Sequence, residues 1–405
     1  VFFNSATPAL NDVGELSVSV GPVGDGEGVW FGANGMGQIE YTSPSGAFLS
    51  DVSLNNLGFM VFEQNFASPD GIFFYDSVAD TSGLLTDRPI GASGWGSPQV
   101  NDSGNVGYKA SFLGDNALYI FDGVSANLVV ADADVDFMSP YSFIFTPSFN
   151  DNDQIAVKVR LGGPGQTGGS QPDQIRVFNS DGSSSLIVED VDGDPSSPYD
   201  GFDNSVSLTN TGWVAFNASL VAGGRGVFIS NGGTTIEIAT ESDPDVSEIE
   251  FFGPVANDSG LVAFRAGNGA GLQTIYVGDG TGLTPVVTEH DILPSDLGPA
   301  RIDQNDSSVV FGGAPAINAS GQVAFNCALT PPDDNQIEWG SGIYIATPSL
   351  PCPEDLTGDD VINSDDLFAL LGQWGACPGC GADLTGDDQI NSDDLFQLLG
   401  AWGDC

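Results

Sequence analysis

Apolar residues over the first 346 positions fall in short bursts rich in β-branched and aromatic side chains, each closed by Gly, Asn or Asp. Such bursts read as strands separated by tight turns. One of them recurs as Asn-x-x-Gly-x-Val-Ala-Phe. It reads LNDVGELSV at 10–18, LNNLGFMVF at 54–62, VNDSGNVGY at 100–108 and FNDNDQIAV at 149–157, then LTNTGWVAF at 208–216, ANDSGLVAF at 256–264 and INASGQVAF at 317–325. The aligned positions Gly14, Gly58, Gly104, Asp153, Gly212, Gly260 and Gly321 lie 44, 46, 49, 59, 48 and 61 residues apart. Asn and Gly at these places tolerate the positive φ of a tight hairpin.

A second phrase follows each copy, as in GVWFGANG from Gly28, GVFISNGG from Gly226 and GIYIATP from Gly342. A third, such as SLIVED at 185–190 or TIEIAT at 235–240, comes next in most repeats. With the stretch before each hairpin, that makes about four strands per repeat. Seven four-stranded units favour an all-β, seven-bladed propeller over a solenoid or two sandwiches. Repeat seven runs from GIYIATP into Pro351-Cys352 with no fourth strand. Blade seven is therefore expected to be three-stranded, or to receive a strand from a partner chain.

After residue 348 the pattern changes. DLTGDDVINSDDLFALLGQWG from Asp355 and DLTGDDQINSDDLFQLLGAWG from Asp383 are offset by 28 residues and differ at three positions. Each opens with the oxygen spacing of a calcium loop. The candidate ligands are Asp355, Thr357, Asp359, Asn363 and Asp366 with the Val361 carbonyl, then Asp383, Thr385, Asp387, Asn391 and Asp394 with the Gln389 carbonyl. Hard oxygens at alternate positions wrap a large cation, and the twelfth-position carboxylate can chelate it, so two Ca²⁺ ions are expected. Asp360 and Asp388 stand where such loops usually carry Gly. Ile362 and Ile390 are expected to pair the two loops. Each loop leads into a helix with apolar positions Leu367, Leu370, Leu371 and Trp374, or Leu395, Leu398, Leu399 and Trp402.

These 54 residues, Cys352 to Cys405, resemble a type I dockerin, and the Trp-Gly-x-Cys ending is similar to Gly-Cys-type dockerins of secreted planctomycete-like bacterial proteins. The first part resembles the NxxGxxAF tandem-repeat propellers that carry C-terminal anchor modules. The resemblance implies a protein partner, a cohesin-like receptor, reached through Ser364, Asp365, Ser392 and Asp393. Many dockerins have Ser-Thr at these positions. In an antiparallel two-helix module the end of one helix lies near the other loop, which favours Cys377–Cys380 together with Cys352–Cys405. Cys352–Cys377 with Cys380–Cys405 is the second symmetric choice, and a zinc site the third.

Charge narrows the function classes. With 8 Lys+Arg against 55 Asp+Glu the formal charge is −47, which excludes charge-driven binding to nucleic acid or anionic lipid. Charged residues are only 16% and hydrophobic ones 40%, so a packed core is expected rather than an acidic tail. No run of 18 apolar residues offers a membrane span. The start at Val1 and the clustered cysteines lead to the expectation of an exported, extracellular chain. His290 is the single imidazole and reads as a loop residue, Cys327 as a buried apolar one. No metalloprotease, phosphate-loop or dinucleotide motif is present, and the arginines are scattered. Acidic loops at 132–136 and 189–194 are candidates for further calcium. The reading is a propeller (1–348) plus a dockerin-like unit (349–405) forming a non-enzymatic secreted scaffold. That scaffold docks onto a cohesin-like protein or another copy of itself, with filaments as one product. The alternative is a dockerin-anchored propeller that binds or degrades polysaccharide.

Overall fold

The computed structural model describes residues 6–24, 26–304, 309–348, 354–357, 361–377, 380–385, 387 and 389–404. The chain divides into two units at Thr347/Pro348. The first is a seven-bladed β-propeller whose sheets cover residues 9–42, 48–86, 94–131, 141–189, 199–240, 246–288 and 292–346. The sheets of blades one to six are antiparallel meanders in chain order, so one sequence repeat becomes one blade, while in blade seven Ile292–Ser295 adds a hairpin to Gly298–Ile302.

The hairpin between first and second strands is the repeated Asn-x-x-Gly phrase. Its glycine is left-handed in six blades, with φ between 76° and 88°, and Asp153 takes the position in blade four at 55°. The asparagine does two things at once. Its Oδ1 accepts the N–H four residues on, as from Phe59 to Asn55 at 2.9 Å, closing its own turn. Its Nδ2 donates to the corresponding carbonyl of the next blade: Asn11 to Asn55 (3.1 Å), Asn55 to Asn101 (2.9 Å), Asn101 to Asn150 (3.3 Å) and Asn150 to Thr209 (3.0 Å). Asn257 to Asn318 (3.0 Å) and Asn318 to Asn11 (3.1 Å) bring the belt round to the first blade. Thr209 stands in blade five, and its hydroxyl turns to Thr211 and Trp213 of its own loop.

Five positions after the glycine a second belt forms. The first strands are split or bulged there, leaving carbonyls outside the ladder. Lys158 donates to the Phe202 carbonyl at 2.7 Å, Asn217 to those of Glu250 and Phe252 at 3.2 and 3.0 Å, Arg265 to Gly313 at 2.7 Å, and Asn326 to Ala6 at 3.4 Å. Buried polar residues in these otherwise apolar strands thus satisfy the next blade's backbone. Between the belts, apolar side chains of adjacent blades interlock, for example Phe216 and Phe228 of blade five with Ile175 and Val177 of blade four. Where blade seven meets blade one the cluster is small, with Ala6, Val18 and Val20 buried and Trp30 and Ile343 half-buried.

Blades one to six each carry a fourth, outermost strand. In blade seven the inner edge of Val323–Thr330 is taken by Gly298–Ile302 and Phe311–Ile317, and its outer edge by Gly340–Ala346. No described strand lies beyond Gly340–Ala346.

The second unit holds two helices, α1 (Ser364–Leu371) and α2 (Ser392–Gly400). The loops do not pair with each other through Ile362 and Ile390 as expected. Val361–Ile362 pairs with Gly403–Asp404 after α2, and Gln389–Ile390 with Gly375–Ala376 after α1. The extended backbone after each helix, entered through Gly375 or Gly403 at positive φ, supplies the edge that each loop needs. Ile362 and Ile390 instead bury themselves with Leu370, Leu398 and Ala382.

Replacing Asn55 by Ala strands the Leu57 and Phe59 N–H groups and leaves the Asn101 carbonyl with only the Gly104 N–H, and should cost about 3 kcal/mol. Thr209→Asn, which supplies the missing donor, should leave stability equal or raise it by up to about 1 kcal/mol. Urea unfolding of both variants against the parent chain measures the difference.

Candidate functional site

The duplicated loops place acids at one spot by the same local physics that starts their helices. Asn363 and Asn391 cap α1 and α2, each Oδ1 accepting the N–H of Asp365 or Asp393 at 2.8 Å. Asp366 and Asp394 return the bond, their Oδ2 accepting the cap residue's N–H at 2.8 Å in both copies. Their other oxygen reaches back across the loop. Thr357 donates N–H and O–H to Asp366, both at 3.0 Å, and Thr385 donates them to Asp394 at 2.9 and 3.0 Å. The twelfth-position carboxylate is therefore buried, aimed inward, and shared by loop and helix.

In the second loop, oxygens of Asp383, Asp387 and Asp394 all lie within 4.8 Å of one another. Asp387 is oriented by the Gln389 N–H at 2.9 Å and the Asn391 amide at 3.1 Å, and Asp383 accepts the Asp387 N–H at 3.1 Å. In the first loop Asp355 accepts from Thr357 at 3.3 Å, while Asp359 and Asp360, like Asp388 of the second, lie outside the described residues. Burial pushes the Asp394 carboxyl up, but three hydrogen bonds from Asn391 and Thr385 outweigh it and hold the group below the ordinary carboxylate value. A converging set of carboxylate, hydroxyl and carbonyl oxygens suits a hard cation such as calcium.

Ser364, Asp365, Ser392 and Asp393 are exposed in the first turns of α1 and α2. The apolar stripe of each helix is only half used. Leu370 and Leu398 are buried, and Leu367 and Leu395 pack against them. Leu371, Trp374, Leu399 and Trp402, expected on the same face, are exposed together with Phe368 and Phe396. These six residues form three matched pairs, one member from each repeat. Cys377 and Cys380 are joined in a disulfide. Cys352 and Cys405 lie outside the described residues.

In the propeller, the hairpins of all seven blades meet around a polar pocket of about 270 Å³. Its acids, Asp12, Asp102, Asp151 and Asp258, are held by the neighbouring blade. Each accepts a backbone N–H of the preceding blade: Asp12 from Ala319 (2.7 Å), Asp102 from Asn56 (2.8 Å), Asp151 from Asp102 (2.8 Å) and Asp258 from Asn210 (2.6 Å), and Asp151 donates its own N–H to Asn210 at 2.9 Å. Asn56 bridges Asp12 and Asp102 at 2.8 and 2.9 Å. Phe149 is the one aromatic residue in the lining.

His290, expected in a loop, sits in one at φ 80°. It also faces Glu289 at 3.7 Å and the buried Asp303 at 3.6 Å, a grouping that no sequence spacing announces. Arg301 already meets the same Asp303 oxygen at 3.1 Å, so an ion-pair cluster accounts for it. In the acidic loops at 132–136 and 189–194, Asp136 and Asp194 accept N–H groups two residues on, while buried Asp132 and Asp190 accept the N–H groups of Asn116 and Asp173 near the start of the third strands.

The profile of a family of unknown function (DUF7453) matches residues 169–349. No curated protein matches the chain by sequence. Among solved structures it is similar to an oligogalacturonate lyase from Vibrio parahaemolyticus, with a TM-score of 0.57, 11% identity and coverage of 85% of this chain and 89% of that one. It is also similar to an oligogalacturonate lyase in complex with manganese, with a TM-score of 0.56, 10% identity and coverage of 86% and 89%. An acylaminoacyl peptidase from Pyrococcus horikoshii matches with a TM-score of 0.53 and 11% identity, over 85% of this chain and 51% of that one. At these identities the likeness is one of fold.

A carboxyl whose folded pKa is depressed contributes stability above its unfolded value and loses it as pH falls through the folded one. The contribution of Asp394 to the helical signal of the second unit should therefore be present in full at neutral pH and fade below about pH 4. Asp394→Ala should weaken it already at neutral pH, as read by circular dichroism of the parent and variant chains.

Proposed function

We propose that this protein is a non-enzymatic extracellular scaffold. Its C-terminal unit docks onto another protein, a cohesin-like receptor or a second copy of the chain, once calcium orders its two loops. The observation that carries this reading is the set of matched exposed side chains: Phe368 with Phe396, Leu371 with Leu399, and Trp374 with Trp402. Three large apolar pairs on two short helices are an interaction surface rather than a core. Aromatic residues of this kind anchor protein interfaces.

The proposed ligands are Asp355, Thr357, Asp359, Val361, Asn363 and Asp366, and Asp383, Thr385, Asp387, Gln389, Asn391 and Asp394. Calcium supplies the positive charge that lets such acids share one small volume. The chain itself does the positioning. Asp366 and Asp394 tie each loop to its helix, and the crossed strand pairs tie each loop to the other repeat. Order in the loops is thus order in the helices and in the exposed residues they carry. The Cys377–Cys380 disulfide supports an oxidising, extracellular setting.

A polysaccharide-active propeller would need acids and aromatic platforms free at one mouth. The four pocket acids are committed to inter-blade hydrogen bonds, which favours the scaffold reading.

Calorimetric titration of the EDTA-stripped chain should detect calcium binding with a Kd on the order of 10 µM or tighter. The Asp383→Ala, Asp394→Ala double variant should lose one of two sites. Sedimentation with and without EDTA then reads docking between copies, and a cohesin-like protein as probe reads docking in trans. A chain that binds no calcium, or whose association ignores it, would sink this reading.

A further inference from the structure

Among the described residues, the outer edge of blade seven differs from the outer edges of blades one to six. In blades five and six the third strands are covered: Val227, Phe228, Ile229 and Ser230, and Ile275, Tyr276 and Val277, are all buried. The corresponding Ile343 and Tyr344 are half-buried, and Ile345 is 38% exposed. Sheets guard their free edges with charge, proline, bulges or short length. The fourth strands of blades one to six use bulges, each showing a register break against its third strand. Gly340–Ala346 has none of these devices. It is seven residues long and pairs with Val323–Thr330 in unbroken register. In a chain of charge −47, residues 340–353 contain no Asp, Glu, Lys or Arg.

We propose that this edge is a strand-acceptor site, and that its occupant is an extended, uncharged segment of another polypeptide, added antiparallel as blade seven's fourth strand. The sister blades define the chemistry of that segment. Their fourth strands are six or seven residues long, and the uncharged ones place apolar side chains near the C-terminal end, as in ANLVVA (Ala126–Ala131) and TSGLLT (Thr81–Thr86). In blades five and six, Ala239 and Val287 lie opposite Val227 and Ile275, the counterparts of Ile343. An arriving strand would gain main-chain hydrogen bonds along Gly342–Ala346 and place a small apolar side chain over Ile343. It would also thicken the small core at the blade seven–blade one junction, where Ile343 already contributes. The edge belongs to the propeller and does not depend on the calcium loops.

The test uses the full chain in EDTA, so that calcium-dependent docking is silent. A fluorescent peptide copying Ala126–Ala131 should bind saturably, as read by polarisation. A peptide with Val129→Pro, and the protein variant Ile345→Lys, should each weaken binding at least about tenfold. Ser82→Lys, on the outer strand of blade two, should not. Thermal unfolding of Ile345→Lys should match the parent chain, which separates a blocked edge from a damaged fold. Equal binding of the proline peptide, no saturable binding, or a dimer that Ile345→Lys dissociates while the peptide stays unbound would each overturn the proposal. The last outcome would assign the edge to a second copy.

Discussion

An asparagine side chain has one acceptor and one donor end, and the propeller depends on both being used at once. The acceptor closes the local hairpin, and the donor clasps the next blade's carbonyl. Without the first, the left-handed glycine turn has unpaired N–H groups. Without the second, the next blade's carbonyl keeps only the N–H of its own turn, and this bond between adjacent hairpins is lost. Because the bond reaches only the adjacent blade, it specifies order round the ring as well as shape. Apolar interlocking supplies most of the burial, but it is non-directional and cannot choose register by itself. The second belt, from Lys158, Asn217, Arg265 and Asn326, serves the carbonyls that the split first strands leave out of the ladder.

The same need for backbone partners explains much of the acidity. Asp12, Asp102 and Asp258 receive N–H groups from neighbouring blades, and Asp132 and Asp190 receive them within their own. The few cations are used as sparingly. Arg88, Lys158, Arg160, Arg225, Arg265 and Arg301 each stand beside a carboxylate. Lys158, Arg225 and Arg265 also lie over aromatic rings, Phe145, Phe251 and Phe252. Charge here builds turns and seams, and the excess left over keeps the surface strongly anionic.

Much of this was legible in the order of residues. Seven spaced copies of a hairpin phrase require seven equivalent hairpins, so the blade count followed from spacing. The lack of a phrase after GIYIATP agrees with Gly340–Ala346 being the outermost described strand of blade seven. The apolar spacing after both loops announced two helices, since that pattern is local to a few residues, while their asparagine caps emerged only with the structure. The crossed pairing of the loops was not legible. Ile362 and Ile390 look made for each other, but the strand edge nearest each one is supplied by the far repeat. Nor was the exposure of Leu371, Trp374, Leu399 and Trp402, because a three-to-four stripe states which side chains share a face and not how wide the opposing surface is.

Alone, the sequence determined the repeats, their strands and turns, and the two loop–helix copies, because those depend on residues a few positions apart. It could not determine which distant groups meet: Asn318 with Asn11, Asn326 with Ala6, His290 with Asp303, or what an uncharged third strand presents when no described strand covers it. Those were decided by closure of the ring, which sets blades far apart in the chain side by side and leaves Gly340–Ala346 on the outside of the last one.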